Sequence, residues 1–174
     1  DTNGHIIFEG EYLNEQKIGI GKEYTYLGRI MFEGEYLNGI KNGKGKEYYY
    51  NSYLKYEGEY LNGLRNGKGK EYNKNGELIF EGEYADNKKW NGTIKLFIKD
   101  DKVIFEGEYN KGEKWTGKEK KYLQNGHIFE IDIVKGKETG KIKEYNENCE
   151  LIFEGEYSNG ARNGKGKEYY KDNV

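Results

Sequence analysis

The residues of this chain that could perform covalent chemistry are few and poorly spaced for it. Gly63-Leu64-Arg65-Asn66-Gly67-Lys68-Gly69 has the content of a phosphate-binding loop. However, three residues rather than four separate its first two glycines, Gly rather than Ser or Thr follows the lysine, and no helical pattern follows to lend an N-terminus. Nucleophilic catalysis needs a Ser or Cys beside a base. The two histidines, His5 and His127, sit in Asn-Gly-His turns. Ser52 and Ser158 lie in turn-like segments, and Cys149 lies in the turn Asn146-Glu147-Asn148-Cys149. Nothing in their spacing joins a nucleophile to a base. Glu81 and Glu83 resemble a glycosidase carboxylate pair, but the same pair recurs along the chain with lysines to balance it, as a structural element would. One Cys and two His supply no metal-ligand cluster. The sequence predicts a non-enzymatic protein with no catalytic residue, cofactor or metal.

Binding chemistry is better represented. Basic residues recur at one end of the hairpins read below: Lys41, Lys44 and Lys46, then Arg65, Lys68 and Lys70, then Arg162, Lys165 and Lys167. Lined up along a sheet they would form a stripe for phosphoinositide headgroups. The competing reading is a solvated face paired with Glu, and the near balance of 29 basic and 31 acidic residues favours it. Tyrosine is enriched at interfaces because it is large, amphipathic and easily ordered. Most of the 18 Tyr should stack on one another as core, but Tyr49, Tyr50, Tyr53, Trp90, Trp115 and Tyr170 break the repeat pattern and are the candidate partner contacts. A Tyr/Phe groove would suit a partner helix or a second ribbon. The expected partner is a protein or a second copy of the chain in a homodimer, with anionic lipid as the alternative. A net charge of −2 creates no field to attract nucleic acid.

The elements that must position these residues follow from composition and period. The apolar and charged fractions are both 34%, a balance that would signal disorder were the chain not 16% aromatic at regular intervals. A single Cys makes the fold independent of an oxidising compartment. No run of 18 apolar residues is present, so no transmembrane segment is expected. The expected location is cytoplasmic, with membrane association tied to the lipid alternative. Asp1-Thr2-Asn3-Gly4-His5 looks like the middle of a repeat (compare Gln124-Asn125-Gly126-His127), so the sequence reads as a piece of a longer chain.

Phe-Glu-Gly-Glu-Tyr begins at Phe8, Phe32, Phe80, Phe105 and Phe153, as Tyr-Glu-Gly-Glu-Tyr at Tyr56, and in degenerate form at Phe129. The starts are spaced 24, 24, 24, 25, 24 and 24 residues apart. Gly-Lys-Gly-Lys-Glu-Tyr follows at Gly43, Gly67 and Gly164, with weaker versions at Gly19, Gly92, Gly117 and Gly140. In Leu78–Tyr84, Leu78, Phe80, Gly82 and Tyr84 share one face and Glu81 and Glu83 the other, the period-two pattern of a half-buried strand. Repeated glycine in the partner strand, where glycine has no preference, makes space for the rings of the first strand. Lys44 and Lys46 would then stand opposite Glu33 and Glu35, or their equivalents in the next repeat. Continued past Gly45, the alternation puts Glu47 on the ring face and Tyr48 with the lysines. Either a bulge intervenes or both faces carry aromatics. Asn-Gly pairs at Asn3, Asn75 and Asn125 fit tight turns. The predicted fold is an all-β, elongated, twisted antiparallel meander of tandem β-hairpins spanning 1–174 as one array. Two strands per repeat at ~4.8 Å give a length of roughly 65 Å.

These residues resemble MORN repeats. That family's aromatic-x-Gly-x-aromatic strand, Gly-bearing loop and Gly-x-Gly are matched by Tyr56-Glu57-Gly58-Glu59-Tyr60, Leu61-Asn62-Gly63 and Gly67-Lys68-Gly69. Lys46–Tyr49 and Lys167–Tyr170 resemble the bacterial MORN-like variant. The resemblance covers about seven copies and essentially the whole chain. Repeats four to six depart from it: Thr93-Ile94 follows Gly92, Trp90 and Trp115 enter the loops, and Ile131 replaces the strand glycine. The resemblance implies a hairpin array used for protein–protein contact, self-association or membrane-linked scaffolding, and no activity of its own.

Overall fold

The computed structural model describes residues 4–97 and 102–170, and these hold fourteen β-strands and no helix. The strands follow one another in sequence order in an open antiparallel sheet. The chain divides into two compact units, 1–92 and 93–174. Unit 1 contains β1 (Phe8–Leu13), β2 (Gln16–Tyr24), β3 (Ile30–Leu37), β4 (Ile40–Tyr48), β5 (Leu54–Leu61), β6 (Leu64–Tyr72), β7 (Leu78–Ala85) and the first half of β8 (Lys88–Phe97). Unit 2 contains the rest of β8, β9 (Val103–Asn110), β10 (Glu113–Tyr122), β11 (Ile128–Val134), β12 (Lys137–Tyr145), β13 (Leu151–Ser158) and β14 (Ala161–Glu168).

Two kinds of turn alternate. Within a hairpin the turn is two residues, both left-handed: Asn38-Gly39 at φ 50° and 82°, and Asn62-Gly63 at 51° and 81°. This is the primed turn whose twist matches that of the flanking strands. Between hairpins the turn is longer. Asn73 N–H donates to the Glu77 carbonyl at 2.9 Å, and the Asn73 side-chain oxygen accepts from the backbone N–H of Asn75 and Glu77. Asn75-Gly76 and Asn125-Gly126 belong to this second kind, with positive φ at the glycine. Asn3 lies outside the described residues.

The register explains the glycines. In unit 1, Gly10, Gly21, Gly34, Gly45, Gly58 and Gly69 pair in succession across the strands and reach Gly82. A Cβ on Gly45 would stand 2.5 Å from Phe32 Cζ, so the ring lies on bare backbone, as the sequence predicts. The rings form an edge-to-face ladder. Phe32 meets Tyr36 and Tyr60 with centroids 5.6 and 5.3 Å apart, and Tyr56 meets Tyr60 and Tyr84 at 5.5 and 5.2 Å. Such pairs contribute ~0.5–1.5 kcal/mol each beyond their buried area. Phe32, Tyr56, Phe80 and Phe105 are almost wholly buried.

Unit 2 modifies the scheme. Gly107 pairs with Gly117 and Gly155 with Gly166, but between them Ile131 pairs with Ile142. There Ile133 stands where other repeats have the second ring, and Ile131 and Ile133 are buried. Branched aliphatics here fill the volume that glycine and tyrosine fill together elsewhere.

Candidate functional site

The two faces of each hairpin carry different chemistry, and a register shift decides which residue goes where. In β3–β4, Gly34 pairs with Gly45 but Tyr36 pairs with Lys41, so Asn42, Gly43 and Lys44 bulge opposite Glu35. Gly43 sits at φ 103°, and the Glu35 carboxylate accepts the Lys44 N–H at 3.0 Å. The same shift pairs Tyr60 with Arg65 and Tyr157 with Arg162. It turns these three cations onto the aromatic face. Lys41 Nζ lies 4.0 Å above the Phe32 ring, and the Arg65 and Arg162 guanidinium carbons lie 4.1 and 4.4 Å above Tyr56 and Phe153.

Each cation also meets a carboxylate on that face. Arg65 reaches Glu47 at 2.5 Å and Glu71 at 3.3 Å, and the hydroxyls of Tyr60 and Tyr84 donate to the same two carboxylates at 2.6 and 2.7 Å. Burial works against ionisation of Glu47, but its hydrogen bonds from Arg65 and Tyr60 and the nearby Lys55 more than offset this, leaving its carboxyl below the usual range. Burial and the same carboxylate push the Tyr60 hydroxyl far up. In unit 2, Glu144 takes Arg162 at 2.8 Å, His127 Nδ1 at 3.0 Å and Tyr157 at 3.3 Å. Its carboxyl is likewise held low against burial by Arg162, then His127. The aromatic face is thus a closed core, capped by cations and neutralised by carboxylates.

The nine basic candidates therefore do not share one surface. Lys41, Arg65 and Arg162 belong to the core network. Lys44, Lys46, Lys68, Lys70, Lys165 and Lys167 lie on the opposite face, where Lys46 pairs with Glu33 and Glu57, Lys44 with Glu59, Lys68 with Glu83, and Lys167 with Glu154. Both faces carry aromatics. Tyr48 stands among the lysines, and its hydroxyl donates to Glu33 at 2.6 Å; burial and then that carboxylate push it up to about 12. Tyr72 repeats the arrangement on Glu57 at 2.8 Å.

The aromatic candidates scatter. Trp90 and Trp115 lie in β8 and β10 rather than in loops. They are 40% and 38% exposed, and Trp115 occupies the register shift between Lys114 and Thr116. Tyr49 is half-buried, with its hydroxyl on the Tyr72 carbonyl at 2.9 Å. Tyr50 and Tyr53 are exposed in and beside the turn after β4, and Tyr170 is 93% exposed. Ser52 and Cys149 hold left-handed turn positions at φ 66° and 61°, and Ser158 ends β13. His127 Nδ1 lies on Glu144, and among the described residues no group of three His, Cys, Asp or Glu side chains is placed to hold a metal.

A concavity of unit 1 lies on the Glu/Lys face, a groove of about 840 Å³ whose floor is the glycine ladder. One wall is Glu33, Lys46, Glu57, Lys70 and Glu81. The other is Glu35, Lys44, Glu59, Lys68 and Glu83. Beyond the second wall, at the two-residue turns, Leu37 pairs with Ile40 and Leu61 with Leu64, and all four are exposed. Unit 2 has a smaller groove of about 480 Å³ on the same face. The residue pattern points to the rings as a groove and does not single out these four aliphatics. Their signal was an apolar residue on each side of Asn-Gly in two successive repeats.

The model of the family described as MORN repeat matches residues 32–52, 56–77 and 153–174. No curated protein matches the chain.

Proposed function

The chain carries MORN repeats, and from that premise we propose that it is a non-enzymatic binding module that scaffolds by holding a protein partner on the Glu/Lys face of unit 1. The observation that carries the reading is the groove itself. It is open, about 840 Å³, floored by backbone and bordered by exposed Leu37, Ile40, Leu61 and Leu64. A groove with an apolar border beside ordered charged groups offers a polypeptide segment both anchors and register. The rest of the repeat is spent on the fold: rings on glycines, cations on rings, carboxylates on cations.

Protein is favoured over anionic lipid by the wall charges. Every lysine of the groove has a glutamate as cross-strand neighbour, so an anionic membrane would meet nearly as much repulsion as attraction. The test is capture with the whole chain as bait, run in parallel with a Lys44→Glu/Lys68→Glu variant and with phosphatidylserine vesicles. The reading expects proteins retained by the parent chain and lost from the variant, with vesicles unbound at physiological salt. Retention that ignores the variant, or vesicle binding that survives salt, contradicts it.

A further inference from the structure

We propose that the occupant of this face is an amphipathic α-helix of a partner protein, with charges that alternate in sign from turn to turn and an aliphatic flank lying on Leu37, Ile40, Leu61 and Leu64. This rests on the protein-binding reading and narrows it. The groove runs across the strands, so its wall charges are spaced by the strand separation of ~4.8 Å. Glu35, Lys44, Glu59 and Lys68 sit on successive strands β3 to β6, and their signs alternate.

A helix carrying opposite charges at alternating spacings of three and four residues presents them on one stripe, on average one turn or about 5.4 Å apart. The mismatch is ~0.6 Å per strand, or roughly 2 Å across four strands. Long Lys and Glu side chains absorb that. An extended segment repeats its same-face residues every ~6.8 Å and falls out of phase within two or three strands. The four aliphatics border the groove at its two-residue turns, where the apolar flank of a helix would lie beside its charged stripe. They form a narrow apolar strip beside a face of Glu and Lys, whereas homodimer interfaces are more apolar than the rest of a protein surface. A second copy of this chain is thus the poorer occupant.

The test uses a labelled, stapled helical peptide of ~18 residues, about 27 Å long. Glu and Lys alternate at spacings of three and four residues down one stripe, and Leu lies down the neighbouring stripe. One control has the same composition with its charges segregated into two halves, and a second has a central Pro. Fluorescence anisotropy with the whole chain should show saturable micromolar binding of the first peptide, and at least about tenfold weaker binding of both controls. Lys44→Glu/Lys68→Glu should lower affinity about tenfold. So should Leu37→Ser/Leu61→Ser, whose exposed positions spare the fold, as unchanged circular dichroism would verify. Equal affinity for the three peptides, no binding of any, or indifference to both variants overturns the helix. Vesicle binding or concentration-dependent dimerisation abolished by the same variants also overturns it, assigning the face to lipid or to a second copy. If capture of proteins still depends on Lys44 and Lys68 while no helix binds, the helix falls and the broader reading stands.

Discussion

Replacing Arg65 by Met should destabilise unit 1 by about 2–3 kcal/mol. Arg65 makes contacts at 3.2 and 2.5 Å to Glu47 and at 3.3 Å to Glu71, and covers the Tyr56 ring at 4.1 Å. Its side chain is 12% exposed, and those of Glu47 and Glu71 are 22% and 18% exposed. Removing one partner from a fully buried ion pair costs ~3–5 kcal/mol, because a charge is left behind in low dielectric. Here each stranded carboxylate keeps a tyrosine hydroxyl and one lysine, Lys55 at 3.6 Å or Lys89 at 3.4 Å. The remaining partners, and the partial exposure of all three groups, bring the loss to the lower end of that range or just below it. Met keeps most of the stem on Tyr56, so the deficit reports the charge rather than a cavity. The assay is urea unfolding followed by the fluorescence of Trp90, which lies in unit 1, in a Trp115→Phe background. With a slope of about 1–2 kcal/mol/M the midpoint should fall by roughly 1–3 M. Lys70→Met is the control: its pair with Glu81 at 3.2 Å is about half exposed and should contribute less than ~0.5 kcal/mol. Equal, small shifts for Arg65→Met and Lys70→Met would refute the claim that the cation-capped carboxylates are part of the core.

Other predictions follow from the same geometry. Gly45→Ala puts a methyl 2.5 Å from Phe32 Cζ and 3.2 Å from Tyr60 Cε2; it should cost about 1–3 kcal/mol in denaturant unfolding, with part recovered in a Gly45→Ala/Phe32→Leu double variant. Ser52→Gly and Cys149→Gly relieve left-handed residues at φ 66° and 61°, where Gly76 and Gly126 serve in sister turns, and each should raise the unfolding midpoint, by about 0.5–1 kcal/mol after the added chain entropy. Glu23, Glu47 and Glu144 are held below their ordinary values. Their contribution is therefore present above the unfolded carboxylate pKa of about 4.3 and is lost as pH falls through the folded values. Thermal stability should be flat near neutrality and drop below about pH 4, and Arg162→Met should flatten that drop in unit 2.

Much of this architecture was legible because it repeats. A period of 24 or 25 residues, alternation within Leu78–Tyr84 and glycines facing rings define hairpins, pairing order and the position of the core. The turn residues were legible in kind, since Asn-Gly tolerates two left-handed residues in succession. What escaped was the register shift at Glu35 and its equivalents. The residue pattern reads on smoothly through Lys41-Asn42-Gly43-Lys44, so nothing local announces that Lys41 joins the rings while Lys44 does not. That one shift divides the basic candidates between two faces. Trp90 and Trp115 were read as loop residues for the same reason: repeats four and five are spaced differently at that point, and their strands run through it. Ile131 departs from the motif as a single residue, because volume is conserved across Ile131, Ile133 and Ile142 on two strands rather than at any one position. The groove was sought on the aromatic face, where the cations and carboxylates close it.

The central claim is that a protein partner sits on the Glu/Lys face of unit 1. The most direct measurement is site-specific photo-crosslinking in cell extract, with the photoreactive residue placed at Leu61, which is 51% exposed at the edge of the groove, and at Tyr170, which is 93% exposed. The account predicts discrete protein adducts from position 61, their loss in the Lys44→Glu/Lys68→Glu background, and no matching adducts from position 170. Absence of adducts at 61, or the same adducts from both positions, would contradict it.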